Sequence, residues 1–202
     1  MLHDIWVAID EGRYPDAERQ LDQDRDLRSG RAGQMALGYV YASTGRFDEA
    51  RAVFGALRDE AREEGDDWEH IALHQLGMVE RLAGDWPQAL ARFQEEAALI
   101  AALGDRPHKQ AVNAYELGMV HLQLGQLDEA RRELERSLAN ARRQDDPVAL
   151  GCAERGLGDL ARAEGQLEVA ADHYAQARAA FEDAEDEAAL RDLAARLPTH
   201  GA

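Results

Sequence analysis

Apolar positions along this chain recur at steps of three and four residues, the spacing of one face of an α-helix. Leu76, Val79 and Ala83 follow it, as do Leu117, Val120 and Leu124; after a break, Ala89, Phe93 and Ala97 resume it. Between such paired stretches stands a turn of fixed form: a glycine, any residue, a large apolar residue, two variable residues and an alanine. Five copies begin at Gly12, Gly45, Gly84, Gly125 and Gly165, at steps of 33, 39, 41 and 40 residues. A self-similar period of this size belongs to repeat architectures. Seven residues before each of the last four turn glycines stands a leucine-glycine pair: Leu37-Gly38, Leu76-Gly77, Leu117-Gly118 and Leu157-Gly158. Each turn glycine predicts a helix end, because glycine accepts the left-handed backbone that closes a helix. The Asp or Pro soon after it suits the first turn of the next helix.

Polar breaks at 65–67, 104–107, 144–147 and 182–186 keep a constant offset from the turns, which predicts helices of about 16 to 18 residues in each pair. The expected fold class is all-α: a right-handed α-solenoid of about five helix-turn-helix units in a single domain over 1–202. The expected repeats are about 2–30, 31–65, 67–104, 107–145 and 147–184. A capping helix over about 186–197 carries Leu190, Leu193 and Leu197 on one face and ends at Pro198. Small residues twelve apart, Gly38 with Ala50, Gly77 with Ala89, Gly118 with Ala130 and Gly158 with Ala170, are expected where the two helices of a pair approach closely.

These features resemble tetratricopeptide repeat proteins over essentially the whole chain, through the leucine-glycine pair, the turn glycine and the alanine five residues beyond it. Phe54, Phe93, Leu134 and Tyr174 match the large apolar position four residues after that alanine. Repeats near 40 residues look like the lengthened variety of kinesin light chains, polarity scaffolds related to Pins, and bacterial regulators with peptide-sensing or MalT-like domains. The first copy departs from the pattern: Asp4-Ile5 replaces leucine-glycine, so an imperfect amino-terminal cap is expected.

Charge narrows the partners. With 40 acidic and 23 basic side chains the net charge is −17, a field that repels phosphate and anionic membrane, so neither nucleic acid nor membrane is expected as a partner. Lys109 is the one lysine, and the one cysteine, Cys152, excludes an intrachain disulfide framework, which fits a reducing, cytoplasmic setting. The first residues lack the basic and apolar runs of a leader, and no apolar stretch is long enough to span a bilayer.

Candidate chemistry sits opposite the leucine stripe of the first helices. That side carries Met35 and Tyr39 in the second unit, His74, Met78 and Arg81 in the third, Tyr115, Met119 and Leu122 in the fourth, and Arg155, Asp159 and Arg162 in the fifth. The resemblance implies that this face lines a concave groove for an extended or helical peptide. Thioethers and aromatic rings suit apolar side chains of a ligand, and arginine forks suit a carboxylate on it. Packing between neighbouring repeats is the other reading of the same stripe. On the groove reading, Met78→Glu with Tyr115→Ala abolishes partner capture without melting the fold.

The family's lysine- and asparagine-based clamp for acidic carboxyl termini does not match Tyr39, Met78, Met119 and Asp159, whereas an arginine-anchored variant through Arg81, Arg155 and Arg162 stays open. His70 and His74 share a helical face but have no further metal ligand placed near them. His121 reads as partly buried packing and Cys152 as a small buried residue. Gly156-Leu157-Gly158 follows a helical pattern, so it fails the test for a phosphate cradle. The chain is therefore expected to be a non-catalytic, cofactor-free interaction module. A peptide- or ligand-sensing domain of a bacterial regulator is the alternative, and an enzyme with an unrecognised site the remote one.

Overall fold

The computed structural model describes residues 2–196. Among these residues there are twelve helices and no strand: α1 (Leu2–Asp10), α2 (Tyr14–Gln23), α3 (Arg25–Ser29), α4 (Arg31–Ser43), α5 (Phe47–Glu64), α6 (Trp68–Ala83), α7 (Trp86–Ala102), α8 (Pro107–Gln123), α9 (Leu127–Gln144), α10 (Pro147–Ala163), α11 (Leu167–Asp183) and α12 (Glu187–Arg196). Five helix pairs, α1/α2, α4/α5, α6/α7, α8/α9 and α10/α11, follow the five predicted turns. The chain forms two compact units, one ending at Glu96 and one beginning at Ala97, with the boundary inside α7. The expected helix end at Leu197 and Pro198 lies outside the described residues.

All five turn glycines are left-handed, from Gly125 at φ 71° to Gly165 at φ 77°, as the turn motif predicts. Proline opens α8 and α10 in the first turn, where its missing N–H costs nothing. Aspartates cap where the sequence supplies them: the Asp146 side chain accepts the Ala149 N–H at 3.0 Å, and Asp186 accepts that of Ala189 at 2.9 Å. The far ends of the second helices use the same left-handed closure, at Gly65 and Gly104 with glycine, but at Asp145 (φ 50°) and Glu185 (φ 54°) without it.

In the first unit the core gathers Ile5, Leu21, Leu37, Val40, Phe54, Leu57 and Val79. Helices α5, α6 and α7 have the expected length, but α1, α2 and α4 run only 9, 10 and 13 residues. For α2 and α4 the bordering element is one the periodicity did not predict. Asp24 accepts the Leu27 N–H at 3.0 Å and nucleates the single-turn helix α3, which uses up the residues before Gly30. Its backbone then presses on α4 at Gly33, where any Cβ would collide with the Leu27 carbonyl.

In the second unit, α8 to α11 hold 17, 18, 17 and 17 residues. Tyr115, Leu134, Leu157 and Leu160 form one core, and Tyr174, Phe181 and Leu193 another. Helix α10 carries three notched positions. A Cβ on Gly158 would come within 2.5 Å of the Tyr174 ring, one on Gly151 within 2.5 Å of Phe181, and one on Gly156 within 2.5 Å of Leu134. The run Gly156-Leu157-Gly158 is thus a packing device, its two glycines serving neighbours on opposite sides.

The close approach within each pair is present, with a different main partner from the one expected. A Cβ on Gly38 would strike Phe54, one on Gly77 Phe93, one on Gly118 Leu134 and one on Gly158 Tyr174; beside Gly118 the Ala130 carbonyl is also among the nearest atoms. The glycine therefore seats the large side chain sixteen residues later, while the alanine is simply buried beside it.

Two stability outcomes follow from these contacts. Gly77→Ala forces a methyl group to 2.5 Å from Phe93 and is expected to cost about 1–3 kcal/mol in chemical denaturation, the usual penalty of overpacking. Asp145→Gly relieves a left-handed backbone worth ~1–2 kcal/mol and gives back ~0.4–1 kcal/mol of unfolded-state freedom, so a net gain of about 0.5–1 kcal/mol is expected in the same assay.

Candidate functional site

The eleven candidate side chains fall into two groups, one in each compact unit. In the first unit, Met35 is buried within the core, and Tyr39 is half-buried between Trp6 and Phe54, with ring centroids 5.3 Å and 6.4 Å away and planes near perpendicular. Edge-to-face contacts of this kind are packing interactions. His74 lies 3.3 Å through Nδ1 from the buried Glu96 carboxylate and against the Phe93 ring. Met78 and Arg81 stand half-buried on the same helix.

The second unit draws its candidates closer together. Tyr115 is buried among Leu134, Leu157 and Leu160, and its hydroxyl accepts a 2.7 Å hydrogen bond from Arg155. The Arg155 guanidinium stacks 5.7 Å from both the Tyr115 and Phe181 rings and donates to Asp192 of α12 at 2.7 Å. Asp159 is buried, accepting from the Tyr174 hydroxyl at 2.7 Å and from Arg196 at 2.8 Å. Tyr115, Arg155 and Asp159 are therefore internal cross-links between helices. The sequence reading of Tyr115 as a removable groove side chain does not survive this burial: deleting its ring opens a cavity, so Tyr115→Ala tests folding as much as binding.

What remains open is a cleft of about 340 Å³ between α8, α10 and α12. Met119, Leu122 and Gln123 form one wall, Asp159, Arg162 and Ala163 the second, and Arg196 closes the end. Four of the predicted residues thus share one recess. Arg162 is half exposed, 3.6 Å from Asp159, and donates to the Arg196 carbonyl at 3.3 Å. The Arg196 guanidinium is shared between Asp159 and Asp192, and Arg162 supplies the exposed guanidinium of the recess, inside a chain of net charge −17. Such a recess can take an apolar side chain on its methionine and leucine wall and an anionic group at its arginine end. Arg196 escaped the sequence reading because it belongs to no repeat. Its only signal was the Asp192/Arg196 pair four apart on α12, which mirrors Arg155/Asp159 on α10.

A smaller recess of about 230 Å³ lies elsewhere in this unit, lined by Ile100, Gln110, Asn113, Arg136 and Asn140. The other chemistry-bearing residues of the sequence sit in structural settings. His70 is buried, His121 accepts or donates at 2.6 Å to Gln126, and burial pushes the Cys152 thiol pKa up, away from thiolate reactivity. Among the described residues no cluster of three His, Cys, Asp or Glu side chains could hold a metal ion, and no helix is long and apolar enough to cross a membrane.

The helix pairs, their notched glycines and their left-handed turns define a class of helical repeat protein. The sequence profile of the tetratricopeptide repeat matches residues 31–105 and 110–183, and the chain belongs to that family. It is a protein-interaction fold. No curated protein matches the sequence significantly. Among solved structures, BtubC (BKLC) from P. vanneervenii is 20% identical at a TM-score of 0.70, covering 90% of this chain and 78% of that one. A kinesin light chain protein of Podosopora anserina with nearly identical TPR-like repeats is 16% identical at 0.68, covering 91% and 94%. PlcR of Bacillus thuringiensis, in complex with the peptide PapR7 and DNA, is 14% identical at 0.71, covering 95% and 72%. At these identities the likeness is one of fold.

The burial of Tyr115 has a titration signature. Desolvation pushes its phenol up to about 12 from an ordinary 10.0, against the opposing pull of Arg155. The folded state then holds a proton that the unfolded state releases, so this contribution to stability is complete below pH 10 and lost as pH rises towards 12. Tyr115→Phe is expected to flatten that alkaline loss in denaturation curves measured across the range. An unchanged slope would place the phenol in water.

Proposed function

We propose that this chain is a non-catalytic interaction module that captures a protein segment on the face of its first helices. In the second unit the cleft of Met119, Leu122 and Arg162 is the capture point. The observation that carries this reading is that recess: apolar on one wall, cationic at its end, and open to solvent in a strongly acidic protein. The ligand that fits is a segment presenting an aliphatic or aromatic side chain next to a carboxylate, the two features the lining can satisfy together. In the first unit Met78 and Arg81 are half-buried candidates. Met35 and Tyr39 are packed against other side chains of the first unit. A single cysteine fits a cytoplasmic setting, and likeness to bacterial proteins favours a bacterial one.

A second reading, a peptide-sensing domain of a regulator, draws support from one fact: PlcR, similar over 95% of this chain, is a structure with a bound peptide and DNA. The two readings differ in whether binding changes the domain's dimensions. A radius of gyration that contracts at saturating ligand favours the sensor, and a constant one the scaffold.

The test begins with selection from a random peptide library on immobilised protein. Enriched peptides are expected to pair an apolar with an acidic side chain. Binding of the best peptide should fall at least about tenfold in Leu122→Ala and again in Arg162→Ala, with the helical circular-dichroism signal retained, because a central contact in a ligand-filled recess is worth about 1.4 kcal/mol or more. Equal affinity in wild type and both variants would remove the cleft from the reading.

A further inference from the structure

One register of the first helices changes chemistry in a single repeat. Four residues before the leucine of the leucine-glycine pair stand Gly33 in α4, Ala72 in α6 and Ala153 in α10, all buried, but in α8 the residue is Asn113, which is 1% exposed. Glycine or alanine fills this place in the other repeats, so the fold itself does not call for an amide there. Burying one costs about 1–3 kcal/mol unless its hydrogen bonds are made. Asn113 lines the recess of about 230 Å³ described above, and Asn140 of α9, 9% exposed, lines it too. Gln110, one turn before Asn113, adds a third amide. Ala97, Ile100 and Ala101 of α7 supply an apolar wall. The recess shares no lining residue with the cleft of Met119 and Arg162.

The hydrogen-bonding capacity of these amides defines a ligand. Asn140 donates through Nδ2 to the Arg136 carbonyl at 3.0 Å and accepts at Oδ1 from Arg143 at 3.2 Å. A primary amide has two N–H donors and two carbonyl lone pairs, so one of each remains on Asn140 beyond these two bonds. Gln110 carries the same pair of functions. The nearby Ser137 hydroxyl, 1% exposed, is by contrast engaged by the Ala111 carbonyl at 2.8 Å and belongs to the packing. The one charged side chain of the lining, Arg136, lies 2.7 Å from the Glu133 carboxylate, which balances its charge. A donor and an acceptor side by side on a neutral amide are matched by a second amide, which makes both bonds at once. A carboxylate has no donor and an ammonium no acceptor, so each would leave part of the lining unmet, at the cost of an unpaired buried group.

We propose that this recess is a binding site for a primary carboxamide on a short apolar stem, with Asn113, Asn140 and Gln110 as its hydrogen-bonding wall and Ala97, Ile100 and Ala101 against the stem. A free small amide and the side chain of a partner's glutamine share that chemistry. An apolar wall with a few converging polar groups is the usual form of a small-ligand site. Keeping a buried amide where alanine serves in other repeats is the exchange of stability for function expected at such a site. The site stands apart from the capture cleft and does not depend on that cleft having a ligand.

The probes are n-butyramide, butyrate and n-butylammonium, alike in length, titrated into the isotope-labelled full chain while the side-chain amide resonances of Asn113, Asn140 and Gln110 are followed by NMR. Butyramide is expected to shift them saturably and to bind at least about tenfold more tightly than either ion. Asn113→Ala, which places there the residue of α6 and α10, is expected to lose at least about tenfold of that binding, with an unchanged or higher midpoint of chemical denaturation. A lower midpoint would make the amide a structural member of the core and overturn the proposal. Ala101→Leu, which fills the apolar wall from an exposed position, is expected to weaken butyramide by a similar factor with the midpoint retained. The absence of a saturable shift, or equal binding of the three probes, would make the recess a water-filled notch and equally overturn it. A short peptide carrying one glutamine separates the two sources of the amide: binding tighter than butyramide assigns the site to a partner's side chain, and weaker binding to a free small amide.

Discussion

Four of the five helix pairs of this protein depend on one contact, a large side chain set against a glycine of the facing helix. Phe54 on Gly38, Phe93 on Gly77, Leu134 on Gly118 and Tyr174 on Gly158 are the same event in four registers. The arrangement answers two demands at once. The missing Cβ lets the helix axes come close, and the ring or leucine fills the space so created without leaving a void. Glycine inside a helix costs roughly 1 kcal/mol relative to alanine, and burial of a phenylalanine or leucine returns about 1.5–3 kcal/mol, so the exchange is favourable wherever the partner is large. The contact also separates roles within a first helix: its glycine side is committed to its own pair, leaving the opposite side for neighbours or ligand.

How that opposite side is used differs along the second unit, and the difference is chemical. Around α8 it is apolar, with Met119 and Leu122 partly exposed beside the buried Tyr115. Around α10 it becomes ionic, with Arg155 and Asp159 both engaged. Arg155 joins three helices, through the Tyr115 hydroxyl on α8 and the Asp192 carboxylate on α12. An arginine suits this place because its planar fork can stack on rings and donate in several directions at once, which a lysine ammonium cannot do. A chain with a single lysine has placed its cations almost wholly in that form.

Much of the architecture was legible in the sequence because it repeats. The turn glycines, the Asp and Pro after them and the lengths of α5 to α11 all follow from local rules read four or five times over. What repetition could not supply was the identity of touching atoms: the helical period marks Gly38 and Ala50 as small, yet only the structure shows Phe54 as the partner. Helix α3 escaped because one turn has no periodicity; its trace was Asp24 three residues before Leu27, a capping spacing with Gly30 as its stop. For the candidate site, an angular position on a helix predicts a face and says nothing of what is stacked against that face. Met119, Leu122, Asp159 and Arg162 line one recess, whereas Tyr115 and Met35 lie in the core and Arg155 is engaged by α12. The residues that took it, Asp192 and Arg196, stand outside the repeats and so outside the pattern.

Helix α10 is notched on two sides, by Gly156 towards Leu134 and by Gly158 and Gly151 towards Tyr174 and Phe181. A rod keyed in this way cannot slide along one neighbour without jamming against the other, since a one-residue advance would drive the Leu157 side chain into a seat made for a hydrogen atom. Any rearrangement of this unit must therefore carry α9, α10 and α11 together as one block.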